Sequence, residues 1–162
     1  MDITEVLITI RKIVRSINLE SKKIQKEYGV SIPQVLCLNY LHASPNYQST
    51  QGEIRHFLNL NSSTTSGIID RLETKGFLAR LPKQGDKRVV NIALTSKGAN
   101  LLKNVPPLLH EQLSAKLKLL PEAKLTQIQE GLQILIALLD IGGIDASPMI
   151  TNEDLIDEGR NN

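Results

Sequence analysis

The sequence predicts a mainly α-helical fold carrying one small β-hairpin, on three observations. Apolar residues step by three and four at both ends of the chain. A short helix, a tight step and a hydroxyl-rich helix occupy the middle. A β-branched hairpin with a basic tip follows directly. The 162 residues suit a single domain, and 41% hydrophobic content supplies one core. No apolar run approaches the roughly 18–20 residues of a membrane span. The opening Met1-Asp2-Ile3-Thr4-Glu5 lacks the basic and apolar stretches of a secretory signal, so the expectation is a cytoplasmic protein. The single cysteine, Cys37, excludes an internal disulfide framework and agrees with a reducing compartment.

The first element is helical by period. Ile3, Leu7, Ile10, Val14, Ile17 and Ile24 form an apolar seam interrupted only by Ser21, and Tyr28-Gly29 ends it. A second helix opens at Ser31-Ile32-Pro33-Gln34, with the serine as cap, the glutamine completing a capping box and proline in the first turn. Thr50-Gln51-Gly52-Glu53 announces a third, shorter helix in the same way. The step Asn59-Leu60-Asn61 then leads into Ser62-Ser63-Thr64-Thr65-Ser66-Gly67, whose first turns are small and polar, with apolar residues only at 68, 69 and 72. A short helix, a tight turn and a second helix with a hydroxyl-rich start read as helix-turn-helix. Small side chains admit such a helix to the roughly 12 Å major groove, where hydroxyls and N-terminal amides meet phosphates and base edges.

Behind it, Phe77–Leu81 and Val89–Leu94 read as two strands around the basic loop Pro82-Lys83-Gln84-Gly85-Asp86-Lys87-Arg88. That completes a winged helix-turn-helix. Asp86 and Arg88, two residues apart, fall on one face of an extended strand and can pair. Thr95 caps a further helix that Pro106-Pro107 kinks or breaks. Leu120-Pro121 starts the last helix, along which Leu125, Ile128, Leu132, Leu135 and Leu139 step by three and four until Gly142-Gly143. The organisation expected is a helical region at 1–30 and 96–141, the winged helix at 31–95 and an acidic tail at 142–162.

The formal charge is only +2, but it is unevenly placed. Residues 71–103 hold eight bases against Glu73 and Asp86, a net +6, while residues 142–162 carry five acids and one base, a net −4. A basic stretch of this kind is what a polyanion-binding surface requires. Candidate DNA-contacting residues are Ser62, Ser63, Thr64, Thr65, Ser66, Arg71, Lys83, Lys87 and Arg88, with Asp86 bracing the wing. Thr65 and Ser66 are placed toward base edges. Five aromatic residues, none of them Trp, argue against single-strand or RNA binding by stacking.

The run Leu72-Glu73-Thr74-Lys75-Gly76-Phe77-Leu78, then Gly85-Asp86-Lys87-Arg88, then Leu94-Thr95-Ser96-Lys97-Gly98 resembles the multiple-antibiotic-resistance regulator (MarR) family. The wing signature of that family is Asp-x-Arg, a short strand, then Leu-Thr-x-x-Gly. Ile69-Asp70-Arg71-Leu72-Glu73 also matches the end of its recognition helix, and the resemblance covers about residues 3–141. It implies that the end helices form a homodimerisation region, that two winged helices meet a pseudo-palindromic double-stranded DNA site, and that Arg88 reaches the minor groove while Asp86 directs it. It further implies a ligand-responsive regulator, most commonly a repressor. A small-molecule effector such as an aromatic acid would bind near Ser21, Tyr40 and His42. One departure is Gly67, where the family often carries a base; readout then rests on the neighbouring hydroxyls, the wing and DNA shape.

An enzyme is not expected. His42, His56 and His110 are joined to Cys37 or a carboxylate pair by no motif, and neither a Gly-rich phosphate loop nor a His-x-x-x-His or Cys-x-x-Cys metal spacing occurs. No cofactor or metal is expected, and Cys37 among leucines reads as a buried structural thiol. Two other readings of the basic patch are a winged-helix interaction module for an acidic protein and a non-specific architectural DNA binder.

Overall fold

The computed structural model describes residues 1–146 and Met149; the tail beyond, and the expectations placed on it, lie outside the described residues. The chain forms two compact units, one of Met1–Pro106 and one within Pro107–Ile150.

In the first unit, α1 (Ile3–Tyr28) is capped by Asp2, whose carboxylate accepts the Thr4 amide at 2.9 Å, and ends at Gly29 with φ +69°. Of its seam only Ile24 is fully buried; Ile3, Leu7 and Val14 face solvent. The packing centre is α2 (Ile32–Ala43), in which seven consecutive residues from Ile32 to Leu38 are buried. A helix apolar all round has to be enclosed, and α2 touches α1, a short strand β1 (Gln48–Thr50), α3 (Gln51–Leu58), α4 (Ser62–Thr74), the strand β3 (Asn91–Leu94) and α5 (Ser96–Asn104). Both predicted capping boxes are present, Ser31 with Gln34 and Thr50 with Glu53. Ile54, Leu58, Ile68, Ile69, Leu72, Leu78 and Ile92 complete this core.

Among the described residues the sheet has three strands, not the two of the hairpin alone. β2 (Leu78–Arg80) pairs antiparallel with β3, and β1 adds on the other edge, with Ser49 opposite Ile92. β1 follows a 3₁₀ turn at Pro45–Tyr47 in which Asn46 and Tyr47 take φ +55° and +57°. At three residues it is too short to leave a period in the sequence. The hairpin strands are shorter than predicted, because Leu81 closes the ladder by donating to the Asn91 carbonyl at 2.8 Å and Pro82 has no amide to continue it.

The helix break at Pro106-Pro107 is complete. α5 ends at Asn104 and the second unit starts afresh with α6 (Leu109–Leu117), followed by α7 (Glu122–Leu139). Pro121 is the residue before the first turn of α7, and the helix stops at Asp140 (φ +57°), ahead of the Gly142-Gly143 expected to end it. Ile128, Leu132, Leu138 and Leu139 of α7 are exposed.

The junction between α4, the hairpin and α5 is the tightest point of the first unit. α4 closes with a Schellman motif: the Phe77 amide donates to Leu72 O at 3.0 Å and the Gly76 amide to Glu73 O at 2.9 Å, with Gly76 at φ +78°. Thr95 caps α5 by accepting the Gly98 amide at 3.1 Å, and its hydroxyl donates to Gly76 O at 2.6 Å. Its own amide donates to Phe77 O at 3.2 Å. A Cβ on Gly98 would lie 2.1 Å from that same Phe77 oxygen and 2.8 Å from Leu94 Cδ1. Only glycine fits, which gives the Leu-Thr-x-x-Gly pattern its physical content.

Gly98→Ala should therefore destabilise the protein by about 2 kcal/mol or more, since backbone rather than a flexible side chain must yield. Gly131→Ala, in the interior of α7 with nothing within 4 Å of the added methyl, should instead stabilise by about 0.5–1 kcal/mol. Urea unfolding followed by circular dichroism reads both; a Gly98→Ala chain as stable as wild type overturns this account of the junction.

Candidate nucleic-acid interface

α4 divides lengthwise into two faces. Asn61 caps it, its side-chain oxygen accepting the Thr64 amide at 2.8 Å and its carbonyl the Thr65 amide at 3.1 Å. Ser62 and Ser63 are exposed, and Ser66 and Arg71 are half-buried. Thr64 and Thr65 are buried, at 5% and 0% exposure. The Thr65 hydroxyl donates back to Asn61 O at 3.0 Å, so it is turned onto its own helix. The expectation that Thr64 and Thr65 face DNA is thereby corrected. Hydroxyl type drew both threonines outward in the sequence reading, whereas their spacing to Ile68, Ile69 and Leu72 puts them on the core face. Gly67 is buried too, so no outward-facing position is lost there.

The C-terminal half of the outer face is acidic, with Asp70 and Glu73 exposed. Both are engaged by Arg80 of β2: Nη2 donates to Asp70 Oδ1 at 2.5 Å, Nη1 to Glu73 Oε1 at 2.9 Å, and the Arg80 backbone amide to Glu73 Oε2 at 2.9 Å. This clamp fastens the root of the wing to α4, and it offsets two carboxylates that would repel phosphate. The Arg80 backbone amide, then its guanidinium, hold the Glu73 carboxyl below its usual range. The clamp is not legible in the sequence, because its members are separated by a turn and a strand rather than by a helical or strand period.

The wing tip is a turn and not an extended strand. Gly85 has φ +68°, and the Val89 amide donates to Asp86 O at 3.1 Å. Asp86 and Arg88 do pair, with Nε to Oδ1 and Nη2 to Oδ2 both at 3.1 Å and the Arg88 amide to Oδ1 at 3.0 Å. The turn brings them together where alternation along a strand was expected to. These bonds with Arg88, side chain first, lower the Asp86 pKa. The Arg88 side chain remains 91% exposed, its Nη1 side available to a further acceptor. Lys83 and Lys87 are exposed beside it.

The three residues expected at an effector site are not brought together by any described cleft. Tyr40 stacks on Phe57 (centroids 4.6 Å apart) and lines a shallow cleft of about 490 Å³ with Thr50, Glu53 and His56. His42 leans on Tyr47, and Ser21 is half-buried on α1 with its hydroxyl shielded from solvent. Cys37 is fully buried, and burial pushes its thiol up to about 12, so thiolate chemistry is suppressed. Among the described residues no group of three or more His, Cys, Asp and Glu is placed to hold a metal ion, and no helix is long and apolar enough to cross a membrane.

Residues 30–90 match the model of the family described as MarR family. The HTH-type transcriptional regulator PecS of Dickeya dadantii is 42% identical over 59 residues, a stretch spanning 36% of each chain. The transcriptional repressor MprA of Escherichia coli is 26% identical over 118 residues, covering 73% of this chain and 67% of that one. Among solved structures, the crystal structure of the S. aureus MepR–DNA complex matches with a TM-score of 0.61 at 23% identity, over 82% of this chain and 96% of that one, a likeness of fold.

The clamp has a pH signature. Glu73 has a folded-state pKa below its unfolded value, so its contribution is fully present above the unfolded pKa of about 4.3 and is lost as pH falls through the folded value. Acid unfolding of Glu73→Gln should accordingly show a shallower loss of stability below about pH 4.3 than wild type, with little difference in slope near neutrality. Identical acid limbs would remove Glu73 from the clamp.

Proposed function

We infer that the chain is a DNA-binding transcriptional regulator of MarR type, since residues 30–90 match that family's model and the relative PecS is named a transcriptional regulator. The observation that carries the reading is the Arg80 clamp. It joins a helix with small exposed serines at its start to a wing ending in a solvent-facing arginine, within the first compact unit. Ser62, Ser63 and Ser66 meet base edges and phosphates in the major groove, where their small size permits close approach. Arg71 braces the helix or contacts phosphate. Lys83 and Lys87 lie on the phosphate backbone, and Arg88, directed by Asp86, enters the minor groove. The transcriptional repressor MprA is a relative whose name supports repression as the mode.

Two copies act together in this reading. The exposed apolar residues of α1 and α7 favour a homodimer whose two-fold axis matches a pseudo-palindromic site. A small aromatic effector would bind against the Tyr40–Phe57 pair and shift the balance between DNA-competent and incompetent spacings of the two winged helices. The chemistry is binding, not catalysis.

A gel shift on the DNA upstream of the protein's own gene, with unrelated competitor, tests this function. Retention against competitor supports specific regulation. Loss to competitor identifies an architectural binder, and no shift at all leaves the basic wing to an acidic protein.

Arg88→Ala should leave the circular dichroism spectrum and unfolding midpoint unchanged and weaken operator binding about tenfold or more, roughly 1.4 kcal/mol. Wild-type affinity in that variant would exclude the wing from recognition. Replacing Leu132 and Leu135 together by Asp puts unpaired charge where apolar contact is proposed, at a cost of several kcal/mol if buried. Light scattering should then find monomer or aggregate in place of a dimer of 18.0 kDa chains. A wild-type protein already monomeric at micromolar concentration defeats the dimer.

A further inference from the structure

We propose that the cleft beside the Tyr40–Phe57 pair takes an aromatic organic cation, a ring carrying an amine or a quaternary ammonium, rather than an aromatic acid. The inference rests on the effector part of the reading above and adds the charge of the ligand. No residue of α4 or the wing enters it.

The cleft, of about 490 Å³, lies within the first unit and is lined by Tyr40 of α2, Thr50 of β1, and Gly52, Glu53, His56 and Phe57 of α3. That volume falls in the range of small-molecule sites. Tyr40 and Phe57, both half-buried and stacked with their planes 28° apart, form its aromatic wall. A ligand ring packs on such a wall, and a cation beside it is attracted by the ring quadrupoles. Charge then decides between amine and acid. Glu53 borders the cleft, whereas no Lys or Arg lines it. Glu53 Oε2 accepts the Ser49 hydroxyl at 2.6 Å and the Thr50 amide at 3.2 Å, so the carboxylate is fixed at the rim. Both bonds fall on one oxygen, which leaves Oε1 to a ligand. The Ser49 hydroxyl, then the Thr50 amide, hold the Glu53 carboxyl below its usual range, so it is ionised at neutral pH.

An acid would have to be held by the start of α3, whose first residues also line the cleft. The amides there are mostly taken. That of Thr50 goes to Glu53, that of Gln51 to the Val90 carbonyl at 2.9 Å, and that of Glu53 to Thr50 Oγ1 at 3.1 Å. A bound carboxylate would find the Gly52 amide beside a fixed negative charge. A bound ammonium finds that charge as its partner.

The test is isothermal titration calorimetry on the full chain without DNA, at about pH 8, above the usual imidazole range. Three one-ring probes are compared: benzyltrimethylammonium, phenylacetate and benzyl alcohol. The cation should bind saturably and about tenfold or more tightly than phenylacetate. Glu53→Gln keeps a capping-box acceptor and removes the charge. It should weaken the cation about tenfold and leave benzyl alcohol unchanged. His56→Lys, at an exposed position of the same rim, should weaken the cation and strengthen phenylacetate. Cation binding that neither variant alters lies outside the cleft and overturns the proposal. Tighter binding of phenylacetate, strengthened by His56→Lys, also overturns it, while an effector in this cleft would stand. If none of the probes binds, the proposal and the effector reading fall together, and the gel shift still decides the DNA reading independently.

Discussion

The first unit depends on an absent side chain. Because Gly98 has no Cβ, the Phe77 carbonyl can lie against the first turn of α5, and the Thr95 amide can reach that carbonyl. One threonine then serves both elements, its oxygen accepting from Gly98 and its proton going to Gly76 O. The end of α4, the start of the hairpin and the start of α5 are fixed at one point by main-chain hydrogen bonds and one threonine hydroxyl, which leave little angular freedom. A wing hung from such a point is aimed by the backbone, before any side chain at its tip is considered.

The side chains refine that aim. α4 is hydroxyl-rich at its start and acidic toward its end, an awkward distribution for a helix proposed to approach phosphate. Arg80 resolves it by engaging Asp70 and Glu73 together, turning repulsive charge into the attachment of β2. At the tip the same device recurs on a smaller scale, where Asp86 orients Arg88 without burying it. In both places a carboxylate positions an arginine. At the root the arginine faces inward as a fastener, and at the tip it faces solvent.

What could be read in the sequence was local. The capping boxes at Ser31 and Thr50, the Thr95 cap, the stop at Gly29 and the break at Pro106-Pro107 each involve residues within four positions of one another, and each is present. The helix-turn-helix and its hairpin were legible for the same reason. What escaped was long-range or bidirectional. β1 exists because β3 offers it an edge, and nothing within Gln48–Thr50 says so. Thr64 and Thr65 bear hydroxyls like their exposed neighbours, and only the packing of α4 on the core distinguishes them. The triad of Arg80, Asp70 and Glu73 required knowledge of how the chain folds back. Tyr40 was picked out with His42 and Ser21, yet its ring is stacked on Phe57, a partner on a different helix.

Two lysines in the basic stretch have duties that alter how the protein should respond to ionic strength. The Lys75 ammonium donates to the Gly29 carbonyl at the end of α1, and the Lys97 ammonium donates to the Lys75 carbonyl at 2.7 Å while lying 5.1 Å over the Phe77 ring. Together with Arg80 they bind helix ends to one another. Counterion release on DNA binding counts phosphates neutralised by cations within reach, at about 0.9 in log–log slope for each on duplex DNA. Of the eight bases between residues 71 and 103, these three are already committed to internal acceptors. On the DNA-binding reading the salt slope should follow the smaller set centred on the wing, so binding would survive a wider range of salt than the net +6 of residues 71–103 suggests.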